Sequence, residues 1–321
     1  MLIVQETELC QSMTNLKIYI NNPRESWITD RFRKEWYTYN KNTTRLIESS
    51  SLVWLIAPWV WQKISKKSLK AKKVICTIHH IDYSKFDKLE RSKFNERDKY
   101  IDAYHVPSLH TLNQLENVTD KKIYEIPFWV NPNNFFHIQD QQTLRNKFKI
   151  SNNDYVVGSF QRDTEGYDLK SPKLSKGPDI LIRNLIELKK INKNLLVLLA
   201  GYRRQYVINE LESNDIRYNY FEKPNLKTIN ELYNCLDLYI VSSRVEGGPA
   251  AIIECATNKT PIISSDVGTA NQILHHKSIY TESTFLNAKP DTEFAYKKSL
   301  QFHLQTGMNK FNDMFLEAHE N

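Results

Sequence analysis

Two carboxylates stand eight positions apart in the run Glu246-Gly-Gly-Pro-Ala-Ala-Ile-Ile-Glu254, with two glycines and a proline directly behind the first. A carboxylate can accept two hydrogen bonds from a vicinal diol such as a ribose, and Glu254 is suited to that task. Glu246, ahead of the glycines, is suited to sugar hydroxyls. Taken alone, each has a plainer reading: Glu254 as a solvated helix residue, Glu246 as a loop charge. The ordered combination of glutamate, paired glycines, proline and second glutamate favours a site.

The glycines sharpen this reading. The chain has 8 in 321 residues, well below the roughly 7% of average usage. None precedes Gly158 and seven fall between Gly158 and Gly268. Backbone approaches a phosphate closely only where side chains are absent, so a bound nucleotide belongs to the second half. Depletion by AT-rich coding explains the low total but not the clustering.

The elements that must carry these residues are legible as apolar runs. In the first half they are residues 16–20, 52–57, 73–78, 103–106 and 122–126. In the second they are 155–160, 195–201, 216–221, 237–243 and 261–265. Helix-length periodic segments such as "DILIRNLIELKKIN" separate them. Continuous apolar strands with such connections indicate parallel sheets covered on both faces, hence an α/β fold of two Rossmann-like domains. A polar stretch at 131–142 suggests the boundary. "DLYIVSS" then reads as a buried strand, Gly247 and Gly248 as a turn, and Pro249 as the first position of a helix. Such an edge exposes N–H groups beside the positive end of a helix and suits a phosphate or a sugar oxygen.

Composition bounds the rest. Hydrophobic residues at 40% and charges at 25% describe a globular chain. "SLVWLIAPWVW" is about half the length a membrane helix needs, and "MLIVQETELC" lacks the pattern of a signal peptide. A cytoplasmic protein is expected. Cys10, Cys76, Cys235 and Cys255 are too scattered for zinc or a disulfide framework and read as reduced thiols. The net charge of +7 suits anionic partners without choosing among them.

"SRVEGGPAAIIECA" followed by "TPIISSDVGTANQIL" resembles the retaining glycosyltransferases of the GT-B superfamily, group 1 or family 4 type. Cys255 replaces the family alanine and Lys259 a glycine. The resemblance implies a GT-B architecture, two Rossmann-like domains facing a central cleft. It implies that Glu246 meets the transferred sugar and Glu254 the ribose. Gly247, Gly248, Pro249, Ala250, Gly268 and Thr269 complete the nucleotide-sugar set. "VVGSFQRDT" and "SKGPDILI" are similar to the family's Gly-Arg and Lys-Gly segments. Arg162 and Lys176 are thereby implied to neutralise the leaving diphosphate, where fixed cations act most strongly as charge develops. The family spaces this pair about five residues apart. Here they stand fourteen apart, so Lys170 and Lys173 compete with Lys176. "LLVLLAGY" places Gly201 near the nucleotide, with the base expected near Phe221 to Pro224. No cofactor or metal is implied, since the cations take the metal's role.

In the first half, "KVICTIHHID" resembles the family strand ending in Thr-x-His-Asp, which puts His79 at the catalytic histidine and His80 at the aspartate. A histidine after a strand is as readily structural. The family's glycine-rich first loop is replaced by "IYINNPRESWITDRF", in which Asn21, Arg24, Glu25 and Trp27 are candidates for a sugar subsite or an ordinary surface. Residues 61–73 hold six lysines, either a solvated face or a peripheral contact with anionic membrane. The expected domains are 1–136 on the acceptor side, 137–295 for the nucleotide sugar, and a tail, 296–321, returning to the first domain. The expected activity is metal-independent transfer of a hexose to a glycan or glycolipid acceptor with retention of configuration. The rival is a non-catalytic GT-B-like nucleotide- or glycan-binding module. Nucleic-acid binding rests on basic charge alone and is not expected.

Overall fold

The structure, a computed structural model, describes residues 16–25 and 28–320; Cys10 and Trp27 lie outside them. The chain divides into two compact units. The first comprises the described residues up to Pro127 together with those from Gln305 onward, and the second is Phe128–Leu304.

The first unit is built on five parallel strands in the order of the chain: β1 (Ile18–Ile20), β2 (Leu52–Leu55), β3 (Lys73–Thr77), β4 (Ala103–Val106) and β5 (Ile123–Glu125). Its centre is aromatic. Trp54 packs edge-on to Trp36 at 5.6 Å and lies 5.3 Å from Phe311 and 5.2 Å from Phe315, both on the terminal helix Leu304–Glu320. A buried polar chain crosses this core. Trp54 Nε1 donates to Thr77 Oγ1 (2.8 Å), Thr77 lies 2.9 Å from His105 Nδ1, and His105 Nε2 reaches the Ile126 carbonyl at 2.8 Å. The carbonyl can only accept, so His105 carries its proton on Nε2 and accepts the Thr77 hydroxyl on Nδ1. Burial lowers the pKa of His105 to about 3.

The second unit begins with β6 (Tyr155–Ser159). A hairpin follows, β7 (Thr164–Glu165) with β8 (Ser171–Pro172), and then β9 (Leu195–Ala200), β10 (Arg217–Phe221), β11 (Leu238–Val241), β12 (Ile262–Ser265) and β13 (Ile279–Tyr280). Its sheet is parallel in the order β10-β9-β6-β11-β12-β13. Along β9, Leu196, Leu198 and Ala200 enter one apolar cluster while Leu195, Val197 and Leu199 enter another. Both faces are therefore covered, which is why the strand reads as an unbroken apolar run. All ten strands expected from the sequence are present; β13 and the β7–β8 hairpin were not legible.

The units part at Pro127/Phe128 instead of 136/137 because the polar stretch is clasped by the second unit. Phe136 N and Ile138 N donate to the side chains of Asn230 and Asn234 at 3.0 and 2.8 Å, and Val130 N donates to Phe302 O at 2.9 Å. The return to the first unit comes at Leu304/Gln305 instead of 296. Residues 292–299 belong to the second unit, where Lys259 pairs with Glu293 at 2.8 Å and sits over the Tyr296 ring.

The lysine-rich stretch 61–73 is partly spent internally. Lys72 Nζ donates to the carbonyls of Glu48 and Ser50, at 3.1 and 2.5 Å, and Lys66 pairs with Glu96 at 3.2 Å. Among the described residues, no helix is long and apolar enough to cross a membrane.

Candidate active site

The second sheet changes direction between β6 and β11. From β6 the chain builds outward through β9 to β10, then returns to β11 on the other side and continues to β13. In open α/β sheets ligands bind at the carboxyl ends of the strands flanking such a reversal. The residues there are Phe160 to Arg162 after β6 and Ser242 to Gly248 after β11.

This edge is tied together by hydrogen bonds. Arg244 N and Val245 N donate to Ser175 O at 2.9 and 3.0 Å. Gln161 Nε2 donates to Lys176 O at 2.9 Å, and the Ser242 hydroxyl reaches the same carbonyl at 3.3 Å. The turn bearing Lys176 is thereby fastened to the end of β11, and Lys176 Nζ is paired with Glu246 Oε1. The Ser243 hydroxyl lies 3.1 Å from that Glu246 oxygen and 3.2 Å from Gln161 Oε1. Glu246 is 8% exposed, so its charge is held by these partners in place of water.

Lys170, Lys173 and Lys176 stand in different surroundings. Lys176 makes the pair with Glu246, and Lys170 is exposed on the hairpin. Lys173 stands near the pair: burial and the neighbouring charges of Lys176 and Arg162 bring its pKa down to about 8. Arg162 Nε donates to Thr164 O at 3.1 Å. Its pKa is lowered by burial and then by Arg203. The fourteen-residue gap is the β7–β8 hairpin, anchored at its root by the buried ion pair of Asp163 and Arg204. Arg204 also donates to Ala200 O at 3.0 Å and to Ser159 O, locking the hairpin to the ends of β6 and β9. It is fully buried.

Glu254 lies on the helix Ala250–Asn258 and is only 5% exposed. It does not face solvent: Tyr233 donates its hydroxyl to Glu254 Oε2 at 2.8 Å. The Tyr233 ring packs 4.9 Å from Phe160 and 5.5 Å from Tyr239. Burial and then Glu254 push its phenol pKa well up, so Tyr233 is a permanent donor. Pro249 stands at the N-cap with ψ 114°, one position before the first helical residue, Ala250.

The glycines answer to protein as much as to any ligand. Gly177 has φ +59°, and a Cβ there would lie 1.9 Å from Ser242 O. Gly268 has φ +53°, and its Cβ would lie 2.5 Å from Gly247 O. The two turns therefore touch backbone to backbone, bringing Gly247, Gly268 and the buried Thr269 together beside Pro249. Gly158, by contrast, is a packing glycine whose Cβ would collide with Leu236. Gly201 directly follows β9 with φ +99°, and the next residue, Tyr202, is 40% exposed with Lys223 Nζ 4.6 Å from its ring centre. Phe221 is instead drawn inward against Phe148, at 5.4 Å.

His79 belongs to the first unit. Its Nε2 reaches Ile56 O at 2.7 Å, so Nε2 carries the proton, and burial lowers its pKa to about 4. Asn21, a sugar-subsite candidate, is corrected: it is 2% exposed and both ends of its amide bond to Ala57, at 2.8 and 3.1 Å. Cys76, Cys235 and Cys255 are buried free thiols, and burial raises the first two to about 11 and about 12. Among the described residues, no group of three or more His, Cys, Asp or Glu side chains is placed to hold a metal ion.

Residues 169–301 match the family Glycosyl transferases group 1. The matched span lies within the second unit and covers less than half of the chain. The matched span includes Lys176, Glu246 and Glu254; Arg162 precedes it. No curated protein matches the chain in sequence. Among solved structures, Alr3699/HepE of Anabaena in complex with UDP and glucose superposes with TM-score 0.73 at 13% identity, covering 94% of this chain and 100% of that one. Sucrose-phosphate synthase of Thermosynechococcus elongatus gives 0.61 at 16% identity over 93% and 77%. TarM of S. aureus, solved with fondaparinux, alpha-GlcNAc-glycerol and UDP, gives 0.61 at 16% over 84% and 55%. The fold is that of the GT-B glycosyltransferases, with two Rossmann-like domains.

Proposed function

We propose that the protein is a retaining, metal-independent hexosyltransferase of the family 4 type. It moves a hexose from a nucleotide diphosphate sugar to a glycan or glycolipid acceptor. The observation that carries this reading is the Lys176–Glu246 pair at the strand reversal, joined through Ser243 and Gln161. In transfer, the bond from C1 to the diphosphate oxygen breaks with its electron pair going to phosphate. The acceptor hydroxyl oxygen bonds to C1, and its O–H bond breaks with the proton passing to the departing phosphate oxygen. Lys176 and Arg162, with Lys173 nearby, are the fixed cations that meet the departing charge, and such preorganised charges act most strongly on the transition state. Glu246 meets sugar hydroxyls, and Glu254, oriented by Tyr233, accepts from the ribose. N–H groups around Gly247, Gly248, Ala250, Gly268 and Thr269, with Gly201 beyond them, line the nucleotide. TarM, a structural neighbour, was solved with UDP and the glycan fondaparinux, which supports the acceptor class.

The test is saturation-transfer NMR with UDP-, GDP-, ADP- and dTDP-sugars, beginning with UDP-glucose because relatives were solved with UDP and glucose. Wild type is expected to bind one donor and slowly release free nucleotide, and Glu254→Ala to lose that binding. Binding without release, with mixed glycan acceptors present, would favour a nucleotide-binding module. No binding at all would sink the reading.

A further inference from the structure

Trp59 is held half exposed at the carboxyl edge of the first sheet by residues from the loops after β1 and β3. It follows β2 and is 48% exposed. From the loop after β1, Glu25 Oε1 accepts its indole N–H at 2.7 Å. From the end of β3, the His79 ring lies 5.7 Å away, centre to centre. Asn21 clamps Ala57, two residues before Trp59, with two hydrogen bonds, and the carbonyl of Ile56 before that accepts the hydrogen bond from His79 Nε2. The position of the indole is therefore overdetermined, although burial would not require it: an exposed aromatic face gives up part of its hydrophobic stabilisation.

From this geometry we infer that Trp59 is a stacking platform for an uncharged sugar ring, with Glu25 at its rim receiving hydroxyl hydrogen bonds. The electron-rich face of an indole attracts the C–H face of a pyranose. A carboxylate offers about four acceptor positions, and the indole N–H occupies one. The groups fixed around the ring are a carboxylate and an imidazole that is neutral near pH 7, which favours a neutral pyranose over an anionic one. The edge is the one open parallel sheets use for ligands. The inference rests on the glycosyl-transfer reading only in calling the bound sugar an acceptor.

The experiment follows tryptophan fluorescence of the full chain during titration with neutral pyranosides and their short oligomers, without nucleotide. At least one is expected to change the emission of wild type. Trp59→Ala should lose that change with at least tenfold weaker binding, Trp59→Phe should keep part of it, and Glu25→Gln should weaken it. Tyr39→Ala, which alters another exposed ring, should leave it intact. If no neutral pyranoside binds, if uronic acids bind in their place, or if Trp59→Ala binds as wild type does, the platform is refuted. Nucleotide release from donor sugars is measured separately. Sugar binding that depends on Trp59 in a chain with no donor turnover keeps the platform and removes the transferase reading. Turnover with an acceptor KM unchanged in Trp59→Ala does the reverse.

Discussion

Lys176 and Glu246 are each other's counter-ion at the point where the second sheet reverses its strand order. A diphosphate entering there must compete with Glu246 for the ammonium. Lys176→Ala is therefore expected to lower the rate of nucleotide release by about 10²–10³-fold, as for loss of one preorganised charge-stabilising donor. Glu246→Gln should separate binding from chemistry. It frees the cation, so calorimetry should show UDP bound as tightly as in wild type or tighter, while turnover falls. Weaker UDP binding in Glu246→Gln would show that Lys176 does not meet the phosphates.

Tyr233 orients Glu254 through one buried hydrogen bond of 2.8 Å. Tyr233→Phe keeps the ring packing and removes the donor. The nucleoside diphosphate should bind roughly five- to tenfold more weakly, about the net value of one such bond. Calorimetry at constant ionic strength measures it, and unchanged affinity would separate Glu254 from the ribose.

Lys173 gives the site a pH dependence. Its pKa is lowered to about 8 by burial and then by the charges of Lys176 and Arg162, against Glu246 and Glu165, which raise it. Below about 8 the ammonium is present; above, it is lost. A bound diphosphate favours the charged form, so binding takes up a proton above that pH and affinity should fall as pH rises from 8 towards 10. The UDP dissociation constant across pH 7 to 10 tests this, and in Lys173→Met the dependence should flatten.

Gly177→Ala tests the turn that carries Lys176. The residue is left-handed and its new Cβ would sit 1.9 Å from the Ser242 carbonyl oxygen. A loss of about 2 kcal/mol or more is expected in urea unfolding, because backbone strain adds to steric overlap.

His105 sets an acid limit on the first unit. Its folded pKa is lowered to about 3, so between pH 6.5 and about 3 the unfolded chain binds a proton that the folded one refuses. Stability is therefore fully present above 6.5 and lost as pH falls. The thermal midpoint should decline on acidification through that range. His105→Gln should begin lower and decline less steeply.

What was legible in the sequence follows from where each signal resides. The unbroken apolar run of β9 announced a strand buried on both faces because both faces are in fact covered. The Glu246–Glu254 run announced itself because its parts are adjacent in the chain. Arg204 did not: in "GYRRQY" it resembles a surface cation, and only the fold brings Asp163 to it. Tyr233 was concealed in an amphipathic helix as one apolar residue among several, its function carried entirely by a hydroxyl directed at Glu254. Asn21 reads as an exposed residue, sugar-binding or ordinary surface, because a buried amide and a solvated one have the same letter. The hairpin was seen only as excess spacing, since strands of two residues leave no period to detect.

The helix Leu304–Glu320 completes the first unit after the whole second unit has been spelled out. During synthesis, then, the earlier half of the chain waits. Trp36 and Trp54 have no Phe311 or Phe315 to cover them until residues 128–304 have been made. The second unit, contiguous in the chain, can close first, reversing the usual order in which domains mature.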